Sequence, residues 1–452
     1  MAAAQGQKSA ILYQSADREI TLVDIPASIA TAQGRCDTTL LSTSPLEHPI
    51  HFKEDYQSKA GKSTAVSSID TVHHELYKSL IQQALLDISA HVLGSWCAPR
   101  EILPQLSQHG KHTRETEDPE RELERRFREW ATFAETAIDD TLFDFQTMMA
   151  SLGAPEVQAP TAGHSAQPWA VRYFPGSENT AQSSAATADW IPAFHNADNH
   201  SMGLSITQER VEKERALQRY YFTIPARSTF FLGDCSRPEA FRSLFRKMTD
   251  EHNLPRHFDL ILLDPPWPNR SAKRKGAYEQ IGGMPYLKKM LFKMDVDNYL
   301  EQNALVGIWI TNKPALRDHV LGPGGLFETW NVGLVEEWIW VKTTTRGEPM
   351  FDIDDPMRKP YEVLLLGRAA PNAWTRMTHV PNARRRVIAA VPDVHSRKPC
   401  LKEMLEPYMP DPDDYSALEI FARYLVAGWA SWGNEVLKYN SDLYWTKGEG
   451  EQ

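Results

Sequence analysis

Asp264, Pro265, Pro266 and Trp267 are the residues of this sequence best suited to do chemistry. They follow a continuous apolar run, Phe258 to Leu263, and a short apolar run closed by a turn reads as a buried parallel strand. The Asp264 carboxylate is then expected at the carboxyl end of a central strand, where open α/β sheets place their ligands. An acid, two prolines and a large ring form a rigid lip suited to methylation of the exocyclic amine of a nucleobase. The amino nitrogen of adenine is a poor nucleophile because its lone pair is delocalised into the ring. It needs positioning more than it needs a strong base. The Asp264 side chain and the Pro265 carbonyl can each accept one N–H and so aim the lone pair at a methyl donor. Proline at 265 and 266 fixes φ and removes donors. Trp267 offers a face for stacking, worth roughly 1–3 kcal/mol per base. The plain alternative is a strand-ending turn capped by an aromatic ring.

The elements that must position these residues follow from pattern and composition. The 452 residues suggest two or three domains, and 42% hydrophobic content with 13 tryptophans is ample for a core. A net charge of −10 excludes a generally basic nucleic-acid binder, so any groove for a phosphate backbone must be a local basic patch. Cys36, Cys97, Cys235 and Cys400 form no CxxC pair, which argues against a zinc site or a disulfide framework and for a reducing compartment. No metal is expected. No apolar run reaches the roughly 18 residues of a membrane span, and the N-terminus lacks the pattern of a secretory signal.

Helical stripes are expected at 75–93 and, from Leu123 to Met148, in one long amphipathic helix packed on the first. Residues 1–152 read as a mainly helical N-terminal region. Residues 153–188, rich in Ala, Pro, Ser, Gln and Thr, read as a flexible linker. From 189 to 445 the pattern is of strands alternating with helices, which implies a parallel, doubly wound α/β sheet, and 446–452 form a tail. Strand-like runs occur at 228–232, 258–263, 304–310, 335–341, 361–366, 387–391, 417–421 and 428–432. Ser236 and Glu239 have the spacing of a capping box before a helix. His73-His74 lacks metal-ligand spacing and reads as surface.

No Gly-x-Gly-x-x-Gly follows the first strand of this region, which weakens a dehydrogenase reading. A polar set gathers late in the chain instead. Lys398 could hold a carboxylate, Arg423 and Asn434 ribose hydroxyls, and Asp234 an adenine amine. Taken singly, each is as well read as a structural polar residue. Trp309 and Trp340, at neighbouring strand ends, could wall a base pocket beside Lys342, or be core tryptophans. Lys273-Arg274-Lys275 could neutralise phosphates, as could Arg384-Arg385-Arg386 and Arg358-Lys359; for the last two clusters a solvated charge run is the readier account.

The ordered set Asp264-Pro265-Pro266-Trp267, Trp340-Val341-Lys342-Thr343, Ser396-Arg397-Lys398-Pro399, Glu419-x-Phe421-x-Arg423 and Gly433-Asn434 resembles the MT-A (seventy-kilodalton subunit type) adenine-N(6) methyltransferases. The segments from Asn269 to Arg274, Lys359 to Glu362 and Trp429 to Lys438 are similar to one branch of that family. The resemblance covers roughly 189–445. It implies a Rossmann-like fold of permuted motif order, with the catalytic tetrad ahead of the main cofactor segment, and S-adenosyl-L-methionine as cofactor. It implies Asp264, Pro265, Pro266 and Trp267 at the acceptor and Asp234, Asp264, Lys398, Phe421, Arg423, Asn434 and Glu435 at the cofactor. On the substrate side it implies Asn269, Lys273, Arg274, Trp309, Trp340 and Lys342. The implied substrate is adenine in RNA, notably 2′-O-methyladenosine in a small nuclear RNA. DNA adenine methylation and a non-catalytic RNA-binding scaffold are the alternatives. A monomer in the nucleus, with the cytoplasm also open, is the expected setting. Tyr424-Leu425 and Glu435 stand where messenger-RNA-methylating relatives carry His-Asn and Gln.

Overall fold

The computed structural model describes residues 9–35, 37–51, 68–104, 119–142, 169–175, 186–188, 190–209, 217–268, 283–355 and 358–446. They fall into two compact units, each assembled from separate stretches of chain: Met1–Pro104, His257–Ile420 and Tyr444–Gln452 in the first, Gln105–Arg256 and Phe421–Leu443 in the second. Elements are numbered along the chain.

The first unit is built on strands β1 (Ile11–Gln14), β2 (Ile20–Val23), β9 (Phe258–Leu263), β10 (Leu300–Ile310), β11 (Val332–Lys342), β12 (Tyr361–Ala369), β13 (Arg384–Ala390) and β14 (Ala417–Ile420). Their order is β1-β2-β13-β11-β12-β10-β9-β14. β9 falls where the apolar run placed it and runs parallel to both β10 and β14. The sheet is mixed, not wholly parallel as expected, because β12 lies antiparallel between β10 and β11. An apolar run reads alike in either direction, so the sequence pattern carried no sign of the reversal. β11 passes to β12 through 343–360 with no helix among the described residues between them, and a parallel return needs a crossover, usually helical.

Helices close the faces. α1 (Ile25–Gln33) begins at Asp24, whose Oδ1 accepts from Ala27 N at 2.9 Å, and ends at Gly34 in the left-handed region, φ 71°. α2 (Ser68–His91) buries Tyr77, Ile81, Ala84 and Ile88 and packs on β2, β11 and β13. α5 (Gly283–Lys293), α6 (Pro314–Leu321), α7 (Leu326–Thr329) and the short α8 (Lys402–Leu405) complete the unit. The Arg384–Arg386 run is structural. Arg384 pairs with Glu19 at 2.8 Å, Arg385 with buried Glu337 at 3.1 Å and Arg386 with Glu336 at 2.6 Å. Burial pushes the Glu337 carboxyl up, but Arg317 and Arg385 outweigh it and hold the group ionised.

The second unit holds an antiparallel sheet, β4-β3-β6-β7, from β3 (Trp169–Pro175), β4 (Ala186–Ala188), β6 (Met202–Glu209) and β7 (Leu217–Ile224). It also holds β5 (Ala193–His195), β8 (Thr229–Leu232) and β15 (Ala430–Gly433), with β8 parallel to β15 and antiparallel to β5. α3 (Pro119–Leu142) lays Phe127 and Trp130 on Phe222, Tyr220 and Trp190. α4 (Pro238–His252) buries Phe241, Leu244, Phe245 and Met248, and Phe241 stacks on Trp432 with centroids 4.1 Å apart.

Four expectations change. Residues 153–188 contain β3 and β4, so the stretch is not simply a linker. Residues 1–152 do not form a separate domain: β1, β2 and α2 belong to the first unit and α3 to the second. The expected helix through Met148 is described to Leu142, and it packs on the small sheet of its own unit. The Ser236–Glu239 capping box does not form. The helix starts at Pro238, and Asp234 Oδ1 accepts from Ser236 N at 2.8 Å instead. No helix among the described residues is long and apolar enough to cross a membrane.

Candidate active site

At the carboxyl end of β9 the chain turns through Asp264–Trp267, and Trp267 N donates to the Pro265 carbonyl at 2.7 Å. Lys398, on the turn after β13, points its ammonium at this carboxylate and donates to both Asp264 oxygens at 2.8 Å. The same ammonium lies 3.3 Å from Glu362 Oε2, and Glu362 Oε1 accepts from Lys342 at 2.6 Å. Asp264, Lys398, Glu362 and Lys342 thus form a row of alternating charge drawn from β9, the turn after β13, β12 and β11. Two indoles line it: Lys398 stands 5.6 Å from the Trp309 ring centroid, Lys342 4.7 Å from that of Trp340, and the rings meet edge to face at 6.0 Å.

The electrostatics follow from the pairing. Burial pushes the Glu362 carboxyl up, but Lys398 and Lys342 outweigh it and pull the group down to about 2. Burial disfavours the Lys398 ammonium, yet Asp264 and Glu362 hold it above its ordinary range. Glu419, near the end of β14, goes the other way. Loss of solvation lifts its carboxyl to about 8, the Asp264 charge adds to this, and Lys398 offsets part. Both oxygens of the Asp264 carboxylate are thus engaged by one ammonium.

The strand that presents Asp264 opens the stretch matched by the MT-A70 family model, residues 258–435. This chain carries an MT-A70 domain. It is 42% identical over 191 residues to the N6-methyladenosine RNA methyltransferase MTA1 of Cryphonectria parasitica, covering 42% of this chain and 55% of that one. It is 35% identical over 224 residues to the human N(6)-adenine-specific methyltransferase METTL4, covering 48% and 43%. It is 32% identical over 228 residues to the DNA N6-methyl methyltransferase of Caenorhabditis elegans, covering 50% and 56%. The chain spans about half the length of the curated relatives it matches.

The MT-A70 match runs on to a second group of expected site residues, in the second unit. Arg423 Nε lies 3.5 Å from Glu435 Oε2, and Lys438 Nζ 3.6 Å from the same oxygen. Glu435 is 7% exposed, and its Oε2 makes no hydrogen bond. Lys438 is also held by Glu124 at 2.6 Å and Glu120 at 2.9 Å, both from the first turns of α3. Buried Ser431 Oγ is likewise without a hydrogen bond. Gly433 passes so close to Ala422 that a Cβ would stand 2.6 Å from its carbonyl oxygen, and Phe421 takes a left-handed φ of 65°. Asp234 is exposed, and with Gly233, Arg237, Phe241 and Trp432 it lines a shallow cleft. Asn434 is half-buried beside Glu435.

Within the MT-A70 domain the expected acceptor and substrate residues Asp264, Trp309, Trp340 and Lys342 come together. Two of the expected site residues already have partners within the fold. Lys398, expected as a carboxylate holder for a cofactor, already holds Asp264 and Glu362. Trp267, expected as a stacking face, is 8% exposed; its Nε1–H donates to the Trp309 carbonyl at 2.6 Å and its ring meets His319 edge to face, so it braces the turn. Pro265 is buried and Pro266 half-buried. Asn269, Lys273 and Arg274 lie outside the described residues. Glu362 and Glu419 were visible only as motif letters. The one usable signal was an acid inside an otherwise apolar strand, which must find a cation or stay protonated.

His74, read as surface, instead lies 3.2 Å from Asp354 and within hydrogen-bond reach of the Tyr361 hydroxyl and Lys359. Glu75 completes a candidate cation cluster with them, but Lys78 pairs with Asp354 at 2.6 Å and already supplies positive charge.

Proposed function

We propose that this chain is an S-adenosyl-L-methionine-dependent methyltransferase of the 6-amino group of adenine in RNA. The observation that carries it is the Asp264 carboxylate, fixed at a strand end by Lys398 and followed by the Pro265 carbonyl. Asp264 and that carbonyl accept the two amine hydrogens and turn the nitrogen lone pair outward. Lys398 holds Asp264 still, and Glu362 with Lys342 keeps Lys398 in place. The amine's surplus proton leaves to solvent after transfer, since Asp264 is already committed to an ammonium. The base must be single-stranded or splayed out to reach the turn.

The residues of the second unit fit the cofactor on two counts. A buried carboxylate oxygen without a hydrogen bond, at Glu435, suits a ribose hydroxyl. The buried Ser431 hydroxyl, also without a hydrogen bond, is a second polar group there able to take one. Glu435 and Arg423 would hold the ribose with Asn434 beside them, and Asp234 the adenine amine. The bound cofactor supplies an electrophilic methyl group.

RNA as substrate is supported by the relative at 42% identity, whose name specifies RNA; the relative named for DNA is 32% identical. The finer proposal, 2′-O-methyladenosine in a small nuclear RNA and hence a nuclear setting, rests on the branch-specific segments around Lys359–Glu362 and Trp429–Lys438. The test is methyl transfer from labelled S-adenosyl-L-methionine to matched RNA and DNA oligonucleotides, with and without a 2′-O-methyl mark, by wild type and Asp264→Ala. RNA labelling that vanishes in the variant is expected. Labelling of DNA alone would move the substrate. Cofactor binding with no transfer to any acceptor would point to a missing partner or a special RNA context, and no cofactor binding at all would favour a scaffold.

A further inference from the structure

The N-terminal stretch has no role in the function proposed above, yet it grips the turn that carries Lys398. Residues 40–43 and 100–103 pair with each other, Ser42 N donating to the Glu101 carbonyl and Leu103 N to that of Ser42, each at 2.8 Å. From this pair Arg100 reaches across and donates to the Val391 and Pro392 carbonyls, each at 2.8 Å. Thr43 N donates to Asp393 Oδ1 at 3.0 Å. The other Asp393 oxygen accepts from Arg397 at 2.6 Å, and the same Arg397 nitrogen donates to the Leu41 carbonyl at 2.9 Å. Both side chains of the Asp393–Arg397 pair are fully buried. Past Lys398, Cys400 N donates to Ser28 Oγ at 2.9 Å.

Between the two halves of that ion pair the backbone is strained. Ser396 has φ 67°, a conformation a serine adopts rarely and at some cost. Strain of this kind persists only where the surroundings over-determine it, and here every hydrogen bond just named does so. The next two residues are Arg397, locked to the N-terminal stretch, and Lys398, locked to Asp264. A buried ion pair is poor evidence for stability, but breaking one by removing a partner leaves an uncompensated buried charge, so this pair resists opening.

We propose that Arg100, Asp393 and Arg397 are positioning residues: through them the N-terminal stretch clamps the 391–398 turn so that the Lys398 ammonium is held on Asp264. The catalytic meaning of the clamp rests on the adenine methyltransferase reading; the clamp itself does not. Removing Arg100 frees two carbonyls of the turn without touching Lys398, Asp264 or Glu362.

The experiment is trace acetylation of the full chain followed by mass spectrometry of the Lys398 and Lys342 peptides, in wild type, Arg100→Met and Arg100→Lys, with methyl transfer measured on the same samples. Lys342 shares the charge row but sits on β11, outside the clamp. The proposal expects Lys398 to acetylate about tenfold faster in Arg100→Met, since two charge-assisted hydrogen bonds to the turn are lost and only part of that loss reaches the ammonium. Lys342 stays unchanged, Arg100→Lys is intermediate, and kcat falls at constant acceptor KM. Arg100→Lys alone carries the test should Arg100→Met fail to fold. An unchanged Lys398 rate overturns the proposal. So does a parallel rise at Lys342, which would mean general loosening. A selective rise at Lys398 in a chain whose wild type methylates no acceptor upholds the clamp and sinks the methyltransferase reading instead.

Discussion

Two carboxylates, Asp264 in the first unit and Glu435 in the second, show opposite states of satisfaction. Asp264 is one-third exposed, yet both oxygens sit 2.8 Å from one ammonium. Glu435 is almost wholly buried, yet its Oε2 has cations no nearer than 3.5 Å and no hydrogen bond. Burial of a charge without hydrogen bonds is expensive. A chain that leaves Glu435 so while saturating Asp264 has built one group for a fixed task and the other to receive donors. The first arrangement suits reaction geometry, the second binding.

Replacing Asp264 by Asn breaks the first arrangement most completely and should give the largest effect. Transfer to RNA should fall by about a hundredfold or more, the scale of losing one pre-organised polar partner at a reacting group. Cofactor affinity, read by calorimetry, should change less than in Glu435→Gln. Equal losses of affinity in the two variants would end the division of labour.

Glu362→Gln attacks the same row from its middle. Two ammoniums would lose their shared carboxylate, and removing one partner of such a buried pair costs about 3–5 kcal/mol. Its exposure of one-fifth places the expected loss near the lower figure. Urea unfolding measures it, and a loss below about 1 kcal/mol would show the row to be solvated in solution.

Glu435→Gln is the matching test of the second arrangement. Exchanging the carboxylate for an amide should weaken cofactor binding about tenfold, with a smaller loss of stability than in Glu362→Gln because its Oε2 makes no hydrogen bond to Arg423 or Lys438. Unchanged affinity would remove Glu435 from the cofactor site.

What the sequence made legible follows the same division. β9 and its acidic turn were readable because an apolar run ended by Asp-Pro-Pro-Trp has few other uses. The strands near 304–310, 335–341, 361–366 and 387–391 were readable by the same token. The reversal of β12 was not, since strand direction leaves no mark on an apolar run. Nor was the pairing of Lys398 with Asp264: the two are 134 positions apart, and no local spacing encodes a contact made by the sheet. The role of Trp267 was not legible for a related reason. A tryptophan in a turn can stack outward or brace inward, and the choice lies with the Trp309 carbonyl, which only the fold brings near.

Glu419 sharpens the comparison through pH. Its ordinary value is 4.5 and its folded value about 8. The proton it keeps on folding contributes stability fully below about 4.5, and this drains away as pH rises to about 8. Glu362 has the opposite sign: held down at about 2 from 4.5, it contributes above about 4.5 and is lost as pH falls toward 2. Glu419→Gln should therefore flatten the decline in stability between about pH 5 and 8, with unfolding midpoints followed across that range. A decline of unchanged slope would mean that Glu419 titrates normally.

The smallest expected effect decides what Trp267 does. Trp267→Phe keeps a buried aromatic ring but removes the donor to the Trp309 carbonyl. If the indole braces the turn, stability falls by about 1–2 kcal/mol because a buried acceptor loses its partner, and the acceptor KM is unchanged. If the indole swings out to stack on the base, the KM for RNA rises while stability holds, because phenylalanine stacks less well and the brace was never needed. The first outcome leaves Trp309 and Trp340 as the remaining rings beside the charge row, 5% and 3% exposed and so no more open than Trp267. Both are now covered by lysines, so Lys342 or Lys398 would then have to shift as the base enters, and Lys342, with a single carboxylate at 2.6 Å, is the less firmly held.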